Sequence, residues 1–266
     1  MKTFDPNRKL VFLDVDGTLF DHKSGEIPAS AIKGLQKLRE RGDTDIVIAT
    51  GRSPFMIDHL DSIKDLIKAY VLLNGQYVLY NDEVIYEKVM PVSEVKKLAN
   101  KAKELNVVFG FVGKDHGYIT GFNDIVQRCF KTFNLEKVKV LEKDFNYHVP
   151  VFAGWLFTSY ETIMDIKADL SQFDYLPWGE YGCDVVMKGL SKQDGISKLI
   201  EELGANPKNT YAFGDSENDI LMFKGCAISV AMGNGKDIVK QAATMVTDTI
   251  ENDGLYKAFV KCGLID

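Results

Sequence analysis

A strand pattern that runs straight into two carboxylates constrains this chain more than any other feature. Leu10-Val11-Phe12-Leu13 is an unbroken apolar run, and Asp14-Val15-Asp16-Gly17-Thr18-Leu19 follows it directly. An apolar run of this length reads as a buried strand of a parallel sheet, covered on both faces. Consecutive strand side chains point to opposite faces, so Asp14 and Asp16 start out on the same one. Open α/β sheets bind ligands outside the carboxyl ends of their strands, which is where this pair falls. Two like charges that close need positive charge between them, and a divalent cation with oxygen ligands is the usual source.

Two further strand ends carry complementary chemistry. Ile46-Val47-Ile48-Ala49 leads into Thr50-Gly51-Arg52, which offers a hydroxyl and a backbone able to approach an anion. The run from Thr210 to Gly214 leads into Asp215-Ser216-Glu217-Asn218-Asp219, with two more carboxylates and an amide. Lys192 adds a positive charge just before the amphipathic segment Gly195 to Leu203. A hydroxyl, a lysine, backbone amides and a metal are what a phosphoryl group requires, and a carboxylate can act on it as a nucleophile. Singly, each motif has an ordinary explanation: an acidic turn, a helix start, a solvated lysine. Three such motifs, each placed directly after an apolar strand run, are hard to explain as independent turns.

The order Asp14-Val15-Asp16-Gly17-Thr18-Leu19, Thr50-Gly51-Arg52, Lys192, Gly214-Asp215-Ser216-Glu217-Asn218-Asp219 resembles the haloacid dehalogenase superfamily of phosphatases, in particular its Cof-type branch. Leu73-Asn74-Gly75, Val230-Ala231-Met232-Gly233-Asn234 and Glu251-Asn252-Asp253-Gly254 are similar to that branch as well. The likeness runs nearly end to end and is least specific in the middle third. The family often has Gly directly after its motif lysine, and here Gln193 stands there.

The resemblance implies a chemistry with residues in roles. Asp14 would attack a phosphate monoester and form an aspartyl-phosphate. Asp16 would protonate the leaving alcohol and then deprotonate the hydrolytic water, although an unperturbed Asp titrates at about 3.9. Asp14, Asp16 and Lys192 are thus the expected catalytic residues. Mg²⁺ would be held by Asp14, the main-chain carbonyl of Asp16, and Asp215. Thr50, Gly51, Arg52, Asn74 and Asn218 would bind substrate, and Asp219 would hold Lys192 and support the metal shell. Capped relatives hydrolyse small metabolites, so a small-molecule phosphate ester is expected, sugar phosphates first, with flavin or pyridoxal phosphates as alternatives. A sugar phosphomutase would use the same chemistry. A receiver-type signalling module is about half this length and lacks a cap, and Met232-Gly233-Asn234-Gly235 is only a partial dinucleotide-binding run.

The expected architecture is α/β: a Rossmann-like parallel-sheet core, residues 1–82 and 188–266, interrupted by an α+β cap, residues 83–187, lying over the carboxyl ends of the core strands. Ile27, Ala31, Leu35 and Leu38 form one helical stripe that ends at Arg41-Gly42. Tyr77 to Tyr86 reads as an antiparallel hairpin, and a helix with Leu98, Ala102 and Leu105 on one face follows. Val107–Val112, Gly117–Thr120 and Val151–Thr158 read as strands, with a helix near 161–170. The core motifs recognise only a phosphoryl group, so discrimination between leaving groups is assigned to the cap. His116, Tyr118, Arg128, His148, Trp178 and Asp184 are its candidates, Asp184 as the opening of the strand back to the core. Trp155 reads as core.

Composition adds exclusions. A net charge of −6 with no long basic block argues against nucleic acid as a partner. No apolar stretch approaches the roughly 20 residues of a membrane span. The start, Met1-Lys2-Thr3-Phe4-Asp5-Pro6, lacks the apolar core of a signal peptide. Cys129, Cys183, Cys226 and Cys262 are too scattered for a metal motif and read as reduced thiols, which suggests a cytoplasmic protein, monomer or homodimer.

Overall fold

The apolar run at Leu10 lies inside a sheet, as its lack of any polar position demands. The computed structural model describes residues 4–133, 138–141, 147–177 and 180–266. It divides into two compact units: Met1–Gly51, Leu60–Glu87 and Ser191–Asp266 form the first, Arg52–His59 and Lys88–Leu190 the second.

In chain order, β1 (Lys9–Leu13), β2 (Thr44–Ala49), β3 (Ile67–Leu72), β4 (Tyr77–Tyr80) and β5 (Glu83–Glu87) belong to the first unit. The second unit holds β6 (Val108–Val112), β7 (Gly117–Ile119), β8 (Val138–Val140), β9 (Ala153–Ser159), β10 (Phe173–Pro177) and β11 (Tyr181–Met187). β12 (Thr210–Gly214), β13 (Ile228–Ala231) and β14 (Met245–Val246) return to the first. Its helices are α1 (Ala29–Arg41), then, beyond the second unit's α2 (Val92–Glu104), α3 (Asp124–Phe133) and α4 (Tyr160–Asp169), α5 (Lys192–Leu203), α6 (Ile220–Gly225), α7 (Asp237–Ala242) and α8 (Gly254–Lys261).

The first unit's sheet has the order β14-β13-β12-β1-β2-β3-β4-β5. It is parallel from β14 to β3 and antiparallel from β3 to β5. β1 lies between β12 and β2 with Leu10 to Leu13 buried. On α1, Ala31, Leu35 and Leu38 are buried, and Gly42 ends the helix in the left-handed conformation. The second unit is a mixed sheet, β10-β11-β9-β6-β7-β8, with its own core that includes Leu98, Phe109, Phe111, Ile163 and Val185.

Several boundaries differ from the sequence reading. β5 pairs with β4 inside the first sheet, and Ile85 and Tyr86 pack on that unit's core, so the first division falls after residue 87 rather than 82. Residues 188–190 and Arg52–His59 group with the second unit. The buried Ser53 hydroxyl ties the latter segment there, donating to the Gly113 carbonyl at 2.7 Å. Leu105 caps α2 instead of extending its apolar face and is 37% exposed. Asp184 sits in the middle of β11 and does not open it. Strands β8 and β10 are too short to be read in advance, whereas helix α3 does carry a helical pattern in Ile125, Val126, Cys129 and Phe130 that the sequence reading does not include. No helix among the described residues is long and apolar enough to cross a membrane.

Candidate active site

β12, β1 and β2 lie side by side in parallel register, and the residues just past their carboxyl ends are Asp215, Asp14 and Thr50. Lys192 reaches this edge from the first turn of α5. Ser191 starts that helix, with its N–H and hydroxyl both donating to the Asp194 carboxylate at 2.7 Å. The helix start packs tightly on the β3–β4 turn. Gly75 has a φ of 91°, and a Cβ there would lie 2.2 Å from the Ser191 carbonyl oxygen. Only glycine permits both the backbone conformation and the approach.

Lys192 is fully buried. Its ammonium donates to Asp14 Oδ1 at 2.6 Å and to Asp219 Oδ1 at 2.7 Å. Asp219 Oδ2 in turn accepts the backbone N–H groups of Asp215 at 3.0 Å and Ser216 at 2.9 Å. Gly214 makes room for this carboxylate, since a Cβ there would lie 2.5 Å from Asp219 Cγ. Both Asp219 oxygens are therefore engaged within the protein, which suits a supporting group.

Carboxylate oxygens of Asp14, Asp215 and Asp219 lie within 4.8 Å of one another. One lysine does not balance three carboxylates. Burial, reinforced by Asp219, pushes Asp14 well above the usual carboxylate range against the pull of Lys192. The same causes raise Asp215 to about 6. Burial alone would lower Lys192, but Asp14 and Asp219 outweigh it and hold the ammonium above its ordinary value. Excess negative charge on hard oxygen donors is the environment that a Mg²⁺ ion fits.

The other expected residues are not part of this trio. Thr50 is buried, its N–H donates to the Val71 carbonyl at 2.9 Å, and its own carbonyl accepts from Asn74 N–H at 3.2 Å. Gly51 faces the Asn74 amide: a Cβ there would lie 3.1 Å from it. Asn218 is exposed in the single turn Glu217–Asp219. Asp16 lies outside the buried trio of carboxylates, with Oδ1 2.7 Å from Nε2 of His22. Arg52 falls in the second unit, where its guanidinium donates to the Met56 carbonyl at 3.1 Å. Gln193 folds over Gly225, where a Cβ would come within 2.0 Å of its amide, and donates to Ser197 Oγ at 3.0 Å. A small residue at 225 thus accommodates the larger one after the lysine.

Two residues were not singled out from the sequence. Asn234 donates to the Gly17 carbonyl at 2.8 Å and accepts from Ile250 N–H at 3.0 Å, joining three loops beside Asp215. Its signal was the turn Met232-Gly233-Asn234-Gly235. His22 is the other, and nothing in the polar segment around it marks its contact with Asp16, six residues away. In the second unit, His116 and Tyr118 are half-buried near β7, Asp184 is half-buried in β11, and Arg128 and His148 are exposed. Trp155 is buried in β9, and Trp178 lies outside the described residues.

The haloacid dehalogenase-like hydrolase family matches the chain over residues 11–259. YkrA, a candidate phosphatase of Bacillus subtilis (strain 168), is 33% identical over 260 residues, covering 97% of this chain and 98% of YkrA. YitU of the same organism, a 5-amino-6-(5-phospho-D-ribitylamino)uracil phosphatase, is 27% identical over 93% of this chain and 95% of its own. Among solved structures, the subclass IIB sugar phosphatase BT4131 superposes with a TM-score of 0.88 at 33% identity, covering 97% of this chain and all 100% of that one. The chain belongs to the haloacid dehalogenase-like hydrolase family. Its enzyme class is that of the phosphatases.

Proposed function

We propose that this protein is a Mg²⁺-dependent phosphatase that hydrolyses small phosphate monoesters, sugar phosphates first, through an aspartyl-phosphate on Asp14. The observation that carries the reading is the fully buried Lys192 clamped between Asp14 and Asp219, with Asp215 alongside. Burying that much charge is costly and serves no packing need. It is intelligible as a site prepared for a doubly charged phosphoryl group.

Asp14 Oδ1 faces Lys192, so its other oxygen is available to attack phosphorus. Asp14, Asp215 and the Asp16 carbonyl would hold Mg²⁺. When bound, the ion supplies positive charge that keeps these carboxylates ionised and lets an anionic substrate approach them. Asp16, the more exposed carboxyl, exchanges the proton with the leaving group and then with water. Lys192, Thr50 and Asn218 contact the remaining phosphate oxygens, and Asp219 fixes the lysine. Sugar phosphates are favoured by the likeness to the subclass IIB sugar phosphatase, and the likeness to YitU makes larger ribityl or flavin phosphates the alternative. The test is phosphate release from a panel of sugar, flavin and pyridoxal phosphates, with Mg²⁺ and with chelator. Release that depends on Mg²⁺ and favours hexose or pentose phosphates supports the reading. Isomerised sugar phosphate without free phosphate would replace it with a mutase.

A further inference from the structure

Four neighbouring parallel strands of the first unit, β14, β13, β12 and β1, are followed by loops that Asn234 links. Its own loop follows β13, Asp215 directly follows β12, Gly17 lies past β1 and Ile250 past β14. The Asn234 Nδ2 donates to the Gly17 carbonyl at 2.8 Å and, over a longer 3.4 Å, to Asp215 Oδ2. Its Oδ1 accepts from Ile250 N–H at 3.0 Å. A primary amide has two donor hydrogens and one acceptor oxygen, so this orientation satisfies all three contacts and the flipped one satisfies none.

The turn that carries Asn234 is itself anchored. Met232 N–H donates to the Gly214 carbonyl at 2.9 Å, Gly233 N–H to the Asp248 carbonyl at 3.0 Å, and Gly235 N–H to the Met232 carbonyl at 3.0 Å. Gly235 brings this turn against Asp215, since a Cβ there would lie 2.8 Å from the Asp215 carbonyl oxygen. Gly17 approaches the side chain of Asp215 as closely. It has a φ of 83°, and a Cβ there would overlap Asp215 Oδ2. The Asp215 carboxylate therefore rests on the Gly17 backbone, and whatever fixes that backbone narrows the rotamers open to the carboxylate.

We infer that Asn234 is a positioning residue for the proposed Mg²⁺ site: with one amide it holds the Gly17 carbonyl and Asp215 Oδ2, and so keeps the Asp215 carboxylate in place beside the backbone that follows Asp16. This role rests on the phosphatase reading above, in which Asp215 and the Asp16 carbonyl are metal ligands. Groups that orient a metal's ligands are worth about 10- to 100-fold in metal affinity. Asn234 is exposed and water competes for its bonds, so the lower end of that range applies. A tie that served the loops alone would show itself in the stability of the metal-free protein and leave Mg²⁺ affinity unchanged.

The experiment titrates Mg²⁺ by calorimetry, without substrate, into metal-free wild type, Asn234→Ala and Asn252→Ala. Asn252 is the control, an exposed amide that donates to Thr249 Oγ1 at 2.8 Å, next to the residue whose N–H Asn234 accepts. Asn234→Ala is expected to weaken Mg²⁺ binding about 10-fold, and Asn252→Ala to leave it at the wild-type value. Both metal-free variants should unfold in urea near the wild-type midpoint. With p-nitrophenyl phosphate, the Mg²⁺ needed for half-maximal activity should rise in Asn234→Ala by the same factor, while kcat at saturating Mg²⁺ stays near wild type. Wild-type Mg²⁺ affinity in Asn234→Ala, or an equal loss in Asn252→Ala, would overturn the inference. So would a metal-free Asn234→Ala that is unfolded or far less stable than Asn252→Ala, since Asn234 would then be a structural tie. A wild type that neither binds Mg²⁺ nor releases phosphate in its presence would instead overturn the phosphatase reading itself.

Discussion

In the first unit a lysine and an aspartate with no solvent exposure are bonded at 2.7 Å, and a second aspartate at 2.6 Å completes the clamp. In the second unit the residues that the sequence offers for substrate selection, His116, Tyr118, Arg128, His148 and Asp184, stand half-buried or exposed on separate elements. The difference follows from what each task costs. Buried charge persists only where other charges and hydrogen bonds hold it, so a site for phosphoryl transfer is specified from many directions at once. The task proposed for the second unit, sorting leaving groups by shape and a few polar contacts, carries no such obligation and can change one residue at a time.

The sharpest way to break this contrast is at the clamp. Asp14→Asn keeps the shape of the site and removes the proposed nucleophile, so kcat should fall by at least about 10³-fold while circular dichroism is unchanged. A well-folded variant with more than a small percentage of wild-type turnover would end Asp14's role. Lys192→Met next removes the only cation of the clamp and leaves Asp14 and Asp219 unpaired. Urea unfolding without Mg²⁺ should show a loss of about 3–5 kcal/mol. Lys198→Met, at an exposed helix pair with Glu201, should cost under about 1 kcal/mol. Similar costs for the two lysines would erase the difference between buried and exposed charge.

A third test concerns the metal. Asp215 is raised to about 6, mainly by burial, in the metal-free protein. As a proposed metal ligand it would be contested by protons and Mg²⁺, so the Mg²⁺ concentration for half-maximal activity should be flat well above pH 6. It should rise as pH falls through that value, by about 10-fold per pH unit for one displaced proton. A half-saturation that is constant from pH 7 to pH 5 would remove Asp215 from the metal ligands. The smallest expected effect lies in the second unit. His148→Ala and Asp184→Asn should shift relative kcat/KM among sugar phosphates by about 3- to 10-fold and leave p-nitrophenyl phosphate unchanged. An unaltered ranking would move selectivity to Asn74 and Arg52.

The same contrast explains what could be read in advance. Asp14, Thr50 and Asp215 were legible because each directly follows an apolar strand, and the end of a buried parallel strand has one place in such a fold. The α1 stripe was legible because Ala31, Leu35 and Leu38 keep one period. The burial of Lys192 was not, since an isolated lysine before a helix is ordinarily solvated and its partners are 178 and 27 residues away. Val138-Lys139-Val140 is too short to show a strand period, and Phe173–Pro177 mixes an aspartate and a proline into its run. β5, half-exposed with two glutamates, reads as the edge of either sheet, and the partner strand decides. His22 lies in Asp21-His22-Lys23-Ser24-Gly25, which has the composition of any turn.

The most direct test of the central claim is to look for the covalent intermediate. The enzyme is mixed with Mg²⁺ and p-nitrophenyl phosphate, quenched in acid during the burst, digested and analysed by peptide mass spectrometry. The account predicts one added phosphoryl group on the peptide that carries Asp14, lost on mild base treatment and missing in Asp14→Asn. Turnover with no phosphoryl group on that peptide, or with the group on another residue, would contradict it.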